Sequence, residues 1–159
     1  LASYPYILEA WKAWGDLSGR HYHPVEEFLT KDAETIFVTL GSFGETAGEA
    51  VKALREKGHK AGLLHLRLWR PFPFDAFCQA IQGARNLIVI DRAVSFGGPG
   101  GPVASEIRSA LYNKEKRPGV YSMIAGLGGR DVTVRDYMQM FESVTAGKAS
   151  AYEIFGVRG

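Results

Sequence analysis

The sequence predicts an α/β fold, in which a parallel or mostly parallel sheet is covered by helices on both faces. Two observations point there. Strand-like and helix-like segments alternate four times along the chain. The strand-like runs are also continuously apolar, as strands buried on both faces are. A length of 159 residues suits one domain.

The elements follow in order. Pro5 suits the first turn of a helix, and Ile7, Trp11 and Trp14 continue as one apolar stripe until Gly15 and Gly19. HYHPVEEFL (21–29) reads as an edge strand, because Pro24 has no N–H to give a ladder. TIFVTLG (35–41) is a buried strand that stops at glycine. Ala47, Ala50, Val51 and Leu54 line the next helix, which Gly58 ends. AGLLHLRLW (61–69) is a strand, and Pro73 then opens a helix with Phe74, Phe77, Cys78 and Ile81 on one face. NLIVID (86–91) is another strand, and Pro102 opens a helix that turns Val103, Ile107, Ala110 and Leu111 inward. GVYSMIAG (119–126) is the last strand. Thr133 and Asp136 have capping-box spacing before a helix with Val134, Tyr137, Met138 and Phe141 on its core side. Residues 1–20 thus read as a lead-in helix and linker, 21–146 as the α/β domain, and 147–159 as a partly ordered exit tail. Right-handed crossovers would place the successive helices.

Composition excludes several classes. The formal charge is +2, with the basic residues scattered, which gives no electrostatic case for nucleic acid or an anionic membrane. Cys78 is the only cysteine, so an internal disulfide is impossible and one thiolate cannot hold an iron–sulfur cluster or a cysteine-rich zinc site. No apolar stretch nears the ~20 residues that span a bilayer. The first residues lack a signal-peptide pattern, so a cytoplasmic location is expected. A chain starting at Leu1 is expected of a processed product or a piece of something longer.

The segment DRAVSFGGPGG (91–101) stands at a strand's carboxyl end before a helix, where free N–H groups favour anions. Its spacing argues against a phosphate cradle. Gly98 and Gly100 satisfy G-x-G, but Val103 occupies the third glycine's place and no G-K-[ST] follows. Pro99 and Pro102 each remove an N–H that a nest needs. Ser95, Gly97, Gly98, Gly100 and Gly101 therefore read as a tight structural or interface loop, with an anion contact as the alternative. In GLGGRD (126–131), Gly128 and Gly129 permit positive φ, and Arg130 and Asp131 read as a salt-bridged helix start or as a contact to another domain or anion. Arg67 and Arg70 flank Trp69 and can stack or pair with acids across an interface; Asp91 and Arg92 are expected to form a local ion pair. His65 reads as a satisfied histidine within a strand, Cys78 as a small hydrophobe, and His21 with His23 lack a third metal ligand. Leu40 breaks G-x-S-x-G ahead of Ser42. No nucleophile has a base beside it, so no catalytic, cofactor-binding or metal residue is assigned.

Taken in order, TLGSFGETAGEAVKALREKGHKAGLLHLRLWRPFP, LIVIDRAVSFGGPGGP and MIAGLGGRDVT resemble one family segment. It is the transketolase C-terminal-like domain in the α chain of 2-oxoacid:ferredoxin (or flavodoxin) oxidoreductases, the pyruvate synthase family. The likeness extends to the lead-in and to the exit EIFGVRG. It implies a three-layer α/β/α sandwich with a five-stranded sheet and one antiparallel edge strand. It also implies a complete enzyme that decarboxylates a 2-oxoacid on thiamine diphosphate and Mg²⁺, passes electrons through iron–sulfur clusters to ferredoxin or flavodoxin, and gives the acyl group to coenzyme A. The G-D-G…N and C-x-x-C elements of that enzyme are not in this sequence. The resemblance therefore implies an assembly domain that packs on sister domains or subunits through Arg67, Arg70, Arg92, Arg130, Asp131 and the glycine loops. A coenzyme A or nucleotide module, or the matching domain of a thiamine-dependent 2-oxoacid dehydrogenase or transketolase, are the alternatives. Exposure of Trp11 or Trp14 would favour a homodimer.

Overall fold

The computed structural model describes residues 2–156, so Leu1 and the end of the expected exit tail, 157–159, lie outside the described residues. Helix α1 (Tyr4–Ser18) has Pro5 in its first turn and runs through Gly15 to a left-handed Gly19. Gly15 is buried, and a Cβ there would collide with the His21 ring, so this glycine serves close packing and Gly19 ends the helix.

Strands β1 (Val25–Phe28), β2 (Thr35–Leu40), β3 (Ala61–Leu66), β4 (Asn86–Asp91), β5 (Gly119–Ile124) and β6 (Tyr152–Ile154) form one sheet in the order β1-β3-β2-β4-β5-β6. Only β1 is antiparallel, pairing Val25 with Leu66 and Phe28 with Leu63 at the edge. The expected antiparallel edge strand is therefore present, shortened to four residues after Pro24. Among the described residues the sheet has six strands rather than five, because the exit segment pairs Tyr152–Ile154 with Ser122–Ile124 in parallel.

Helices α2 (Phe43–Glu56), α3 (Phe74–Ala80), α4 (Pro102–Leu111) and α5 (Val134–Thr145) form the outer layers. Successive strand residues point to opposite faces. Phe37, Leu63, Ile88, Ile90 and Met123 thus pack under α2 and α5, while Ile36, Val38, Leu64, Leu66, Leu87 and Val89 pack under α3 and α4. The Thr133–Asp136 capping box starts α5 as expected. The last crossover is an exception to the uniform hand. It runs from β5 to β6 in the direction that α4 takes from β4 to β5, yet α5 lies on the opposite face. α3 and α4 fill the other face, and the apolar side of α5 closes the core beside α2.

From β2 the chain returns through α2 to β3 on one side, and from β4 it moves through α4 to β5 on the other. The switch point therefore lies between the carboxyl ends of β2 and β4, where ligand sites of open α/β sheets form.

Candidate functional site at the carboxyl edge of the sheet

Asp91 ends β4 with its side chain buried, 3% exposed. It points towards α4, where its carboxylate accepts the Val103 N–H at 3.0 Å and the Ala104 N–H at 3.2 Å. Gly101 N–H donates to the Ser122 hydroxyl at 3.0 Å. Pro102 has no N–H, so the amides of the first helical turn are already engaged inside the chain. Burial pushes the Asp91 carboxyl above its ordinary range, and the two amide donors oppose that shift.

The glycines follow from this arrangement. A Cβ on Gly101 would overlap the Asp91 side chain, although the Gly101 backbone is ordinary extended chain. A Cβ on Gly100, whose φ is 133°, would meet the Ser122 hydroxyl at 2.8 Å. Within the loop, Ser95 N–H donates to Gly100 O at 3.0 Å and Gly98 N–H to Ser95 O at 2.9 Å. The latter bond closes a tight turn through Gly97 that leaves Phe96 fully exposed at its tip. Arg108 on α4 clamps the loop from behind, donating to Pro99 O at 2.9 Å, Val120 O at 3.0 Å and Ala151 O at 2.6 Å.

Arg92 takes the other face. Its guanidinium lies 4.4 Å over the Phe43 ring at the start of α2. Tyr137 donates its hydroxyl to Phe43 O at 3.3 Å, and burial drives that phenol far upward while Arg92 opposes the shift. The expected Asp91–Arg92 ion pair is thus corrected: adjacent strand residues face opposite sides, one capping α4 and the other stacking on α2.

The other arginines expected at an interface are met within the chain. Arg67 pairs with Glu26 of β1 at 2.8 Å and lies 5.3 Å over Tyr22. Arg70 pairs with Glu106 at 2.9 Å and stacks 4.4 Å over Trp69. Arg130 donates to Gly156 O in the exit segment. Among the described residues no ion pair joins it to Asp131, so the salt-bridged helix start is also corrected. Gly128 and Gly129 sit at φ 67° and 82° in a short turn that hands Arg130 to that contact. The structure therefore gathers Ser95 and the 97–101 glycines on the α4 side of the β4 end, sets Arg92 on the α2 side of it, and places Arg67 and Arg70 on the β3 side.

His65 is buried, but among the described residues its Nε2 has no partner, nor does the Oγ1 of its cross-strand neighbour Thr39. It is not the satisfied histidine expected. Its ring packs where a Cβ on Gly44 would stand. Burial and then Arg67 hold it below its ordinary pKa, against Glu26, the Gly41 backbone and Glu45. Ser122, Arg108, Phe43 and Phe96 were missed from sequence. The signal available for Phe96 was an aromatic between small residues in a proline-punctuated loop.

The donor set does not fit thiamine diphosphate with Mg²⁺ or an iron–sulfur cluster. No group of three His, Cys, Asp or Glu side chains converges among the described residues, Cys78 is the single thiol, and the amides at the start of α4 are taken. No helix among the described residues is long and apolar enough to cross a membrane.

Residues 33–137 match the family described as pyruvate:ferredoxin oxidoreductase core domain II. The chain is 38% identical over 142 residues to pyruvate synthase subunit PorA of Thermotoga maritima, covering 89% of this chain and 36% of that one. It is 38% identical over 139 residues to ketoisovalerate oxidoreductase subunit VorA of Pyrococcus horikoshii, covering 87% and 35%. It therefore spans about a third of the length of these curated relatives. Among solved structures, a split-gene transketolase described as an inactive β4 tetramer superposes with a TM-score of 0.61 at 16% identity, covering 82% of this chain and 45% of that chain. That likeness establishes a transketolase-like fold.

Proposed function

Because the chain belongs to the pyruvate:ferredoxin oxidoreductase core domain II family, we propose that it is the assembly domain of a 2-oxoacid:ferredoxin oxidoreductase complex and does no chemistry alone. The intact complex decarboxylates pyruvate or a related 2-oxoacid in the cytoplasm, with ferredoxin or flavodoxin as electron acceptor and coenzyme A as acyl acceptor. Thiamine diphosphate, Mg²⁺ and the iron–sulfur clusters sit on sister domains or subunits. A second copy of this chain is a further partner.

One observation carries the proposal. The amides at the start of α4, the place for a bound diphosphate, are held by Asp91 and Ser122. The glycine loop thereby becomes an internally hydrogen-bonded ledge, with Phe96 projecting from it and the Arg92–Phe43 stack on the α2 side of the β4 end. An exposed aromatic and a stacked arginine at one edge of the sheet are residue types enriched in interface hot spots. Ser95 and the 97–101 glycines shape that ledge, and Arg130 with Asp131 flanks it after β5.

Reconstitution tests the proposal. Mixed with the remaining domains and subunits, the chain is expected to enter the complex and 2-oxoacid turnover to require all parts. Decarboxylation of pyruvate by the isolated chain would overturn it.

A further inference from the structure

The fold gathers basic residues that lie scattered in the sequence. Five loops meet at the amino edge of the sheet, opposite the glycine loop: 29–34, 57–60, 81–85, 112–118 and 146–151. Together they hold eight of the 19 lysines and arginines, all exposed, against three of the 17 acidic residues. The whole chain carries only +2, so the rest of the molecule is net negative. Two of the three acids are already engaged, Asp32 by Arg55 at 2.7 Å and Glu34 by Lys60 at 3.1 Å and Arg85 at 3.4 Å. Among the described residues no ion pair engages Lys114, Lys116 or Arg117. Helix dipoles account for part of this charge, since α2, α3, α4 and α5 end at this edge and Arg117 donates to Tyr112 O at 2.9 Å. That effect fades within the last turn. Lys31 follows a strand, and Lys114 and Lys116 stand beyond the end of α4.

The charge surrounds a hollow. Between the ends of α3 and α4 lies a cleft of about 890 Å³. Ile81, Ala84, Leu111 and Pro118 give it an apolar floor, and the exposed Arg85, Lys114, Lys116 and Arg117 form its rim. Arg85 also borders a second hollow of about 390 Å³, together with His59 and Lys60.

The occupant that fits is an acidic polypeptide with an apolar side chain for the floor. A membrane surface does not reach apolar residues recessed below a charged rim. Among the described residues no aromatic side chain lines the larger cleft to stack a nucleic-acid base. A permanent subunit is a poor match as well, because obligate interfaces are apolar and interface cores are depleted of lysine. A lysine-rimmed cleft suits a partner that charge steers in and that leaves again. From this charge complementarity we infer that the amino edge is the docking site of a separate acidic protein, bound reversibly. It lies at the opposite edge from the Phe96 ledge and needs no sister subunit, so it stands or falls separately from the assembly role.

Fluorescence anisotropy with a labelled peptide of glutamates around one central leucine tests this, first on the chain alone. The dissociation constant is expected on the order of 50 μM at ~50 mM salt and should rise at least ~5-fold at ~300 mM. Lys114→Glu with Lys116→Glu should weaken binding at least ~10-fold, with an unchanged circular dichroism spectrum because both lysines are exposed. Lys12→Glu with Arg135→Glu makes the same change in net charge outside these loops and should stay within about threefold. A peptide with glycine in place of its leucine should bind at least ~3-fold more weakly. The affinity should persist once the chain is assembled with its sister subunits; its loss there shows that a permanent subunit covers the edge and overturns the inference. Absence of binding to the chain alone overturns it too, as do equal losses in the two charge-reversed pairs. Tighter binding of an oligothymidylate or of phosphatidylserine vesicles at the same salt would overturn the choice of occupant.

Discussion

Replacing Asp91 probes the physical basis of the glycine loop. Its carboxylate satisfies two amides of the first turn of α4, at 3.0 and 3.2 Å, in a site only 3% exposed. Asp91→Ala leaves both donors buried without an acceptor, at about 1–3 kcal/mol each. The expected loss is therefore about 4 kcal/mol. For a domain of this size that lowers Tm by about 8–16 °C. Asp91→Asn keeps one acceptor oxygen and should lose about 2 kcal/mol. Gly101→Ala should approach the Asp91→Ala loss, because its methyl displaces the same carboxylate without straining an extended backbone. Urea and thermal unfolding followed by circular dichroism measure all three. Formate at 100 mM should then stabilise Asp91→Ala more than wild type at matched ionic strength, since it supplies the missing carboxylate to the freed amides. If Asp91→Ala costs under about 0.5 kcal/mol, or formate acts equally on both proteins, the amides are not held by Asp91 and the reasoning fails.

Other perturbations separate docking from folding. Phe96→Ala should raise the dissociation constant for the sister subunits about 30-fold, as loss of a hot-spot aromatic does; wholly exposed Phe96 leaves Tm unchanged, and an equal affinity by titration calorimetry refutes the anchor. Arg108→Ala frees three backbone acceptors and should cost about 1–3 kcal/mol, with faster hydrogen exchange in 151–155; unchanged exchange there would show that β6 does not depend on this clamp. His65 is held below its ordinary pKa, so the native state favours the neutral ring and its contribution is present above the unfolded value near 6.5. The urea midpoint should fall between pH 7.5 and 5.5 in wild type and change less in His65→Gln; parallel profiles would contradict this.

How much of this was legible depended on whether a feature is local. The buried strands declared themselves as apolar runs because both faces of β2, β3 and β4 are covered. The capping box at Thr133 was legible because its two partners lie three residues apart. Strand β6 was not legible. Three residues after a run of Ala, Gly, Lys and Ser carry no period, and pairing with β5 together with Arg108 on Ala151 O fixes them. The prolines and spacing of the glycine loop correctly argued for a turn, but not for what the turn encloses. Ser122 and Arg108 approach it from elements that sequence spacing does not relate to it. Adjacency misled at Asp91 and Arg92, where the strand pleat separates the two charges.

Calorimetric titration of the isolated chain with coenzyme A, and with thiamine diphosphate and Mg²⁺, bears most directly on the claim that the carboxyl edge is a docking ledge without a cofactor. No saturable heat is expected up to millimolar ligand. Saturable binding of either compound that disappears in Arg92→Ala would contradict it and make the glycine loop a ligand site.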